Sequence, residues 1–275
     1  MSRIEKALEE AVRLRQPIRV RDAADASIPD ERGGAEQGTF IPRSPYLVTL
    51  NDPRSAVSEE YRKLKSMIIR ATKKDAFRNT LMVTSSLSGE GKSITSLNLA
   101  VILAQEYNNT VLLIDADLRR PSLHRYLGIT PNVGLSDCLA GGLDAGEAMV
   151  KTGIPKLSFL ASGTAVDDPV ELLSSHTMKA LLGEMKQRYR DRYIIIDTPP
   201  ILPYAETHAL SAMVDGIVFV VKEGMASIKG IRDAIDMLND TAVLGIVYND
   251  VSRETLNNRY HYYYTYSQGT QEKGA

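Results

Sequence analysis

The chain has 275 residues, is 43% hydrophobic and 6% aromatic, and carries 33 Lys and Arg against 34 Asp and Glu. That is enough for one large α/β domain or two small ones around a sizeable core, and a net charge of −1 excludes a nucleic-acid binder that works through bulk positive charge. The lone Cys138 excludes an internal disulfide, no apolar run approaches the roughly 18–20 residues of a membrane helix, and Met1-Ser-Arg-Ile-Glu-Lys6 lacks the apolar core of a secretion signal, so a soluble, cytoplasmic protein with no membrane span is expected.

Residues 3–15 read as a short helix, with Ile4, Leu8 and Val12 recurring every four residues among charged neighbours. Residues 16–45 carry Pro17, Pro29, Gly33, Gly34, Gly38, Pro42 and Pro45 without apolar periodicity, which predicts a flexible linker. Residues 1–45 therefore form a first region. A second helix is predicted over 54–71, with Tyr61, Leu64 and Ile68 on one face and Glu59 and Lys63 spaced for an i,i+4 pair.

From residue 80 the pattern alternates between strand and helix. Apolar runs stand at Leu81–Val83, Val111–Ile114, Leu157–Leu160, Tyr193–Ile196, Gly216–Val221 and Val243–Tyr248. They are short, branched and nearly continuous, as strands buried on both faces of a parallel sheet are. Helical stretches are predicted near 92–106, 170–190, 204–212 and 227–239. The expected fold is a doubly wound α/β domain with a mostly parallel sheet, spanning 46–252. Residues 253–275 are polar and Tyr-rich, and a mobile tail is expected there.

Leu81-Met-Val-Thr84 is a strand, Ser86 to Gly91 a loop of small residues, and Lys92-Ser-Ile-Thr the start of a helix. That order is the context of a P-loop. Glycines let backbone N–H groups wrap phosphates, and the helix N-terminus adds its dipole. Ser88, Gly89, Glu90, Gly91, Lys92, Ser93 and Ile94 are the expected nucleotide-binding residues. Lys92 brings positive charge to the β and γ oxygens, and the Ser93 hydroxyl can ligate Mg²⁺. Ser86 replaces the loop's usual first Gly or Ala.

Two acidic elements follow strands: Asp115-Ala-Asp117-Leu-Arg119 and Asp197-Thr-Pro-Pro200. Carboxylates at such strand ends face the crevice where ligands of this architecture bind. Of Asp115 and Asp117, either can hold Mg²⁺ while the other takes a proton from an attacking hydroxyl. Arg119 organises the loop or contacts a phosphate. His124, His176, His208 and His261 have no metal-ligand spacing.

Tyr260, Tyr262, Tyr263, Tyr264 and Tyr266 crowd the tail. An ATP site and a row of phenolic hydroxyls in one chain point to an enzyme that phosphorylates its own tail. Transfer in trans is expected, because a tail starting after the last strand reaches a neighbour's crevice more readily than its own.

Over about residues 47–266 the chain resembles the bacterial tyrosine kinase family. Three motifs carry the likeness: Thr84-Ser-Ser-Leu-Ser-Gly-Glu-Gly-Lys-Ser93, with Ser88 where the family usually has Pro; Asp115-x-Asp117-x-Arg119; and Asp197-x-Pro199-Pro200. The terminal tyrosines match the family's cluster. The resemblance implies an ATP- and Mg²⁺-dependent protein-tyrosine kinase that modifies its neighbours' clusters. It implies Lys92 on the phosphates, Ser93, Asp117 and Asp197 around Mg²⁺, Asp115 as the base, and Asn249 against adenine. It further implies a ring-like homo-oligomer through a Glu-x-x-Arg-x-x-Arg helix, read here as Glu59, Arg62 and Lys65; Lys lacks the planar fork of Arg. A separate membrane regulator of polysaccharide chain length would activate the kinase and draw it to the inner face of the membrane, and a cognate phosphatase would oppose it. The opening Met-Ser-Arg-Ile-Glu-Lys-Ala-Leu resembles kinases found beside exosortase-type exopolysaccharide loci.

The main rival is a partition or cell-division-positioning ATPase of the same fold. Those proteins carry an extra loop lysine where this chain has Leu87, and they lack a tyrosine tail. A second rival is a nucleotide-gated scaffold whose tail is an aromatic adhesive surface.

Overall fold

A computed structural model describes residues 42, 44–73, 77–188, 191–238 and 241–252. The chain divides into Met1–Phe40 and Ile41–Ala275, and all described residues belong to the second unit. The expected helix 3–15, nearly all of the linker and the tyrosine cluster lie outside the described residues.

In chain order the elements begin with α1 (Val48–Asn51), α2 (Ala56–Thr72), β1 (Thr80–Ser85), α3 (Lys92–Ala104) and β2 (Thr110–Asp115). Next come α4 (Leu123–Leu127), α5 (Leu135–Gly141), α6 (Ala145–Ala148), β3 (Val150–Lys151), β4 (Leu157–Leu160), α7 (Pro169–Leu173) and α8 (His176–Arg188). The series closes with β5 (Arg192–Asp197), α9 (Ala205–Ser211), β6 (Gly216–Lys222), α10 (Ile228–Asp236) and β7 (Val243–Asn249).

The strands form one sheet in the order β3-β4-β2-β5-β1-β6-β7. Every pair is parallel except β3 with β4. The six predicted strands are all present. β1 is buried throughout, whereas β7, at one edge, is half-buried along its length. β3 has two residues, too few to show a period, and no local pattern marks it.

Helix α3 is buried on every face from Thr95 to Ala104, as a helix inside a layered core must be. One polar side chain clips its cover in place. Asn98 accepts the Thr49 amide at 3.0 Å through Oδ1 and donates through Nδ2 to the Tyr46 carbonyl at 2.7 Å. Short α1 is thereby fixed over α3, although its four residues are too few to show a period.

Helix α2 starts behind Ser55, whose hydroxyl accepts the Ser58 amide at 3.2 Å. Ion pairs on its surface run at i,i+3, Arg62 to Glu59 and Lys63 to Glu60, each 2.7 Å. The stretch expected near 170–190 is two helices. Asp168 caps α7 through the Val170 and Glu171 amides, and Ser175 opens α8 by accepting the Met178 amide at 3.1 Å. Two capping residues in close succession make two starts.

Candidate active site

The register of the sheet assembles the site. Asp115 ends β2 and Asp197 ends β5, and the two are cross-strand partners. Val83 of β1 is the other partner of Asp197, and just past β1 the loop opens toward α3. Residues 92, 115, 117 and 197 therefore meet at the C-terminal edge of three neighbouring strands, where open parallel sheets bind ligands.

The loop's shape follows from its glycines. Gly89 (φ +86°) and Gly91 (φ +91°) occupy the left-handed region, which side chains with a Cβ rarely adopt. Glu90 between them is fully buried, and its carboxylate faces the protein: Oε2 accepts the Leu87 amide at 2.7 Å and Oε1 the Lys222 amide at 3.3 Å. Of the expected nucleotide-binding residues, Glu90 can thus contribute only its backbone.

Lys92 and three carboxylates form the charged centre. Lys92 Nζ donates to Asp117 Oδ2 at 2.9 Å. Burial disfavours the ammonium, but Asp197 and Asp117 outweigh it and hold the Lys92 pKa above its usual value. Asp117 also accepts the Arg120 amide at 3.0 Å through Oδ1. Ser96, one turn after Lys92 on α3, donates to Asp197 Oδ1 at 3.0 Å. Burial pushes the Asp197 pKa up to about 6, against the pull of Lys92.

Asp115 is fully buried, and backbone donors reach both of its oxygens. Oδ1 accepts the Asp117 amide at 3.3 Å, and Oδ2 accepts the Ser122 and Leu123 amides at 3.1 Å each, at the start of α4. It therefore holds a helix start from the end of β2. Burial, then the Asp197 charge, drive its pKa well above the carboxylate range, opposed by the Leu123 amide.

Arg119 does not join this cluster. Its Nε donates to Glu206 Oε1 at 2.5 Å, and its guanidinium lies 4.9 Å from the centre of the Tyr204 ring. Glu206 is completely buried. Sequence reasoning misses Ser96, Tyr204 and Glu206. The i,i+4 spacing from Lys92 could have shown Ser96, whereas nothing in the local sequence marks Glu206 as the partner of a residue 87 positions away.

Two observations bear on what the crevice can hold. Asp197 Oδ2 and Ser86 Oγ are buried, with no hydrogen-bond partner among the described residues. The oxygens of Ser93, Asp117 and Asp197 are hard donors of the kind Mg²⁺ takes. Two carboxylates and a hydroxyl fit Mg²⁺ in particular, which is commonly held by one or two carboxylates together with phosphates and water.

The remaining expected positions lie elsewhere. Glu59 and Arg62 pair with each other on α2, and Lys65 reaches Glu106 of the same chain at 2.5 Å. Asn249, at the end of β7, donates through Nδ2 to the Glu90 carbonyl at 2.9 Å, so its side chain rests on the loop itself. Among the described residues no helix is long and apolar enough to cross a membrane.

Comparison with known proteins follows the same lines. The ParA family model, described as "NUBPL iron-transfer P-loop NTPase", matches residues 76–275. The chain is 39% identical over 178 residues to the tyrosine-protein kinase YwqD of Bacillus subtilis, covering 65% of this chain and 73% of that one. It is 30% identical over 220 residues to the putative tyrosine-protein kinase CapB of Staphylococcus aureus, covering 79% and 94%. Some relatives are much longer: the chain spans 29% of the putative tyrosine-protein kinase EpsB of Ralstonia solanacearum, at 33% identity over 221 residues and 80% of this chain. Among solved structures it resembles the chimerical protein CapA2B2, with a TM-score of 0.70 at 27% identity, covering 78% of this chain and 93% of that one. The ParA match reports a P-loop NTPase fold that the kinase and partition readings share, and the relatives separate them. With its P-loop, its two aspartate motifs and these relatives, the chain belongs to the bacterial tyrosine-protein kinase family.

Proposed function

We propose that the protein is an ATP- and Mg²⁺-dependent autokinase that phosphorylates Tyr260, Tyr262, Tyr263, Tyr264 and Tyr266 of neighbouring copies. The observation that carries this reading is the convergence of Lys92, Asp115, Asp117 and Asp197 on one strand edge beside a glycine loop. Residues 46–252 make the kinase domain, and 1–45 and 253–275 flank it.

In this reading the loop amides and Lys92 hold the polyphosphate. Ser93, Asp117 and Asp197 would hold Mg²⁺, which when bound offsets charge on the transferring group. Asn249 steadies the loop next to the adenine side. Asp115 takes the phenol proton as the tyrosine oxygen bonds to the γ-phosphorus and the bond to the β–γ bridging oxygen breaks, releasing ADP. Leu87, where the partition ATPases carry a lysine, supports the kinase over that rival.

The names of the relatives support a place in exopolysaccharide or capsule production, under a separate membrane regulator and an opposing phosphatase. We assign the protein to the inner face of the membrane through that regulator, in a ring-like assembly through the α2 face bearing Glu59, Arg62 and Lys65. Incubation of the purified chain with Mg²⁺–ATP, followed by mass spectrometry of the 253–275 peptide, tests the reading. Phosphate on those tyrosines is expected, and its absence in the presence of the regulator contradicts it.

A further inference from the structure

Glu90 is the one fully buried carboxylate of the phosphate loop, and the mechanism above gives it no chemistry. Burying a carboxylate is costly unless donors satisfy it. Here they do, and each comes from a different piece of the fold. The Leu87 amide belongs to the first half of the loop, and the Lys222 amide to the end of β6. Burial pushes the Glu90 pKa up, and the amides of Leu87, Lys222 and Ser86 pull against it. Ser85 closes the turn by donating to the Leu87 carbonyl at 2.8 Å.

The backbone of the same residue is held from a third direction. The Glu90 carbonyl accepts Asn249 Nδ2 at the end of β7, and the Glu223 amide, next after β6, donates to the Asn249 carbonyl at 3.0 Å. One residue thus ties the loop to two strands that carry none of the reacting groups.

We propose that Glu90 is a positioning residue for nucleotide: its carboxylate acts as an internal anion that fixes the first half of the loop and clamps it to β6. The amides after it are then aimed at the phosphates before nucleotide arrives. The division follows from the geometry. The Leu87 N–H turns inward to Glu90, and Gly89 and Gly91 on either side of it take the left-handed conformation that lets a loop's backbone wrap a phosphate. Ordering that precedes binding lowers the entropy cost of binding. The inference rests on the nucleotide reading of the loop.

Glu90→Gln tests it with volume conserved. Its amide group presents N–H₂ where one of the two backbone donors needs an acceptor, so one of the two clamps is lost. The Kd for ADP is expected to rise at least about tenfold, as for one buried donor left unpaired. KM for ATP should rise with it, and kcat should stay within about twofold, because ground-state binding alone is lost. A Kd within about twofold of wild type overturns the proposal. Amide-resolved hydrogen exchange on the wild-type chain gives a second readout that needs no variant. The Leu87 and Lys222 amides are expected to be slow with and without Mg²⁺–ADP, and the 89–93 amides slow only with it. Free exchange at Leu87 or Lys222 without nucleotide overturns the clamp. Should Mg²⁺–ADP protect nothing in 89–93, the nucleotide reading itself fails, independently of Glu90.

Discussion

The Asn249 side chain lies across Gly91. Its Nδ2 donates to the Glu90 carbonyl, and a methyl group built on Gly91 would stand 2.0 Å from that same nitrogen. The contact explains why a glycine is needed there twice over, for its backbone angle and for the space above it.

Gly91→Ala therefore meets two penalties. The left-handed backbone costs about 1–3 kcal/mol for a residue with a Cβ, and the displaced Asn249 releases the Glu90 carbonyl. ADP affinity is expected to fall at least about tenfold. Adding Asn249→Ala to the same chain should recover only part of the loss, because it frees space but leaves φ strained. ADP titration of the single and double variants measures the coupling.

Lys92→Met removes the cation that faces Asp115, Asp117 and Asp197. Tyrosine phosphorylation is expected to drop by at least about 10²-fold. The same variant addresses cis against trans. The described chain runs to Ser252, whose amide bonds Glu223. In a mixture with active enzyme, label on the inactive variant chain is the expected sign of transfer in trans. An unlabelled variant chain would mean transfer in cis.

Asp115→Asn can keep its carbonyl oxygen on the Ser122 and Leu123 amides that start α4, but it turns an N–H₂ toward the Asp117 amide and ends the residue's capacity to take a proton. Nucleotide affinity is expected to stay within a few-fold, and phosphotyrosine formation to fall by about 10²–10⁴. Paired measurements of ADP binding and phosphotyrosine on one preparation check the split. Equal loss of both would assign Asp115 to structure alone.

How much of this was legible in the sequence depended on whether the signal was local. The central strands announced themselves as branched apolar runs, and β2 and β5 each ended in the residue the chemistry needs, Asp115 or Asp197. What stayed hidden is long-range. The carboxylate of Glu90 turns inward because Lys222, 132 positions on, offers its amide. Arg119 lies on Glu206 and Tyr204, away from the charged centre, because α9 brings a buried carboxylate across to it. Helices as short as α1 and α6 have too few residues to display a period.

Asp137 gives a prediction about stability. Its Oδ2 accepts the Gly134 and Thr164 amides at 2.7 and 3.2 Å, and its Oδ1 the Thr164 hydroxyl at 2.6 Å, joining the start of α5 to the loop after β4. Burial pushes its pKa up, but these bonds outweigh burial and leave it below the ordinary value. A depressed folded pKa means stabilisation that is present above the unfolded value of about 3.9 and is lost as pH falls through the folded pKa. Asp137→Ala is expected to cost about 1 kcal/mol at pH 7. Urea melts of both chains, repeated at descending pH, should show the gap narrowing below about pH 4.

The central claim is that the crevice around Lys92 delivers phosphate to phenol oxygen. The most direct measurement follows the γ-phosphate of labelled ATP as it is consumed by the purified chain with its membrane regulator. The account predicts that label accumulates on the tail tyrosines in step with ADP until the cluster is filled. ADP formation with all of the label released as inorganic phosphate, and none on tyrosine, would contradict it.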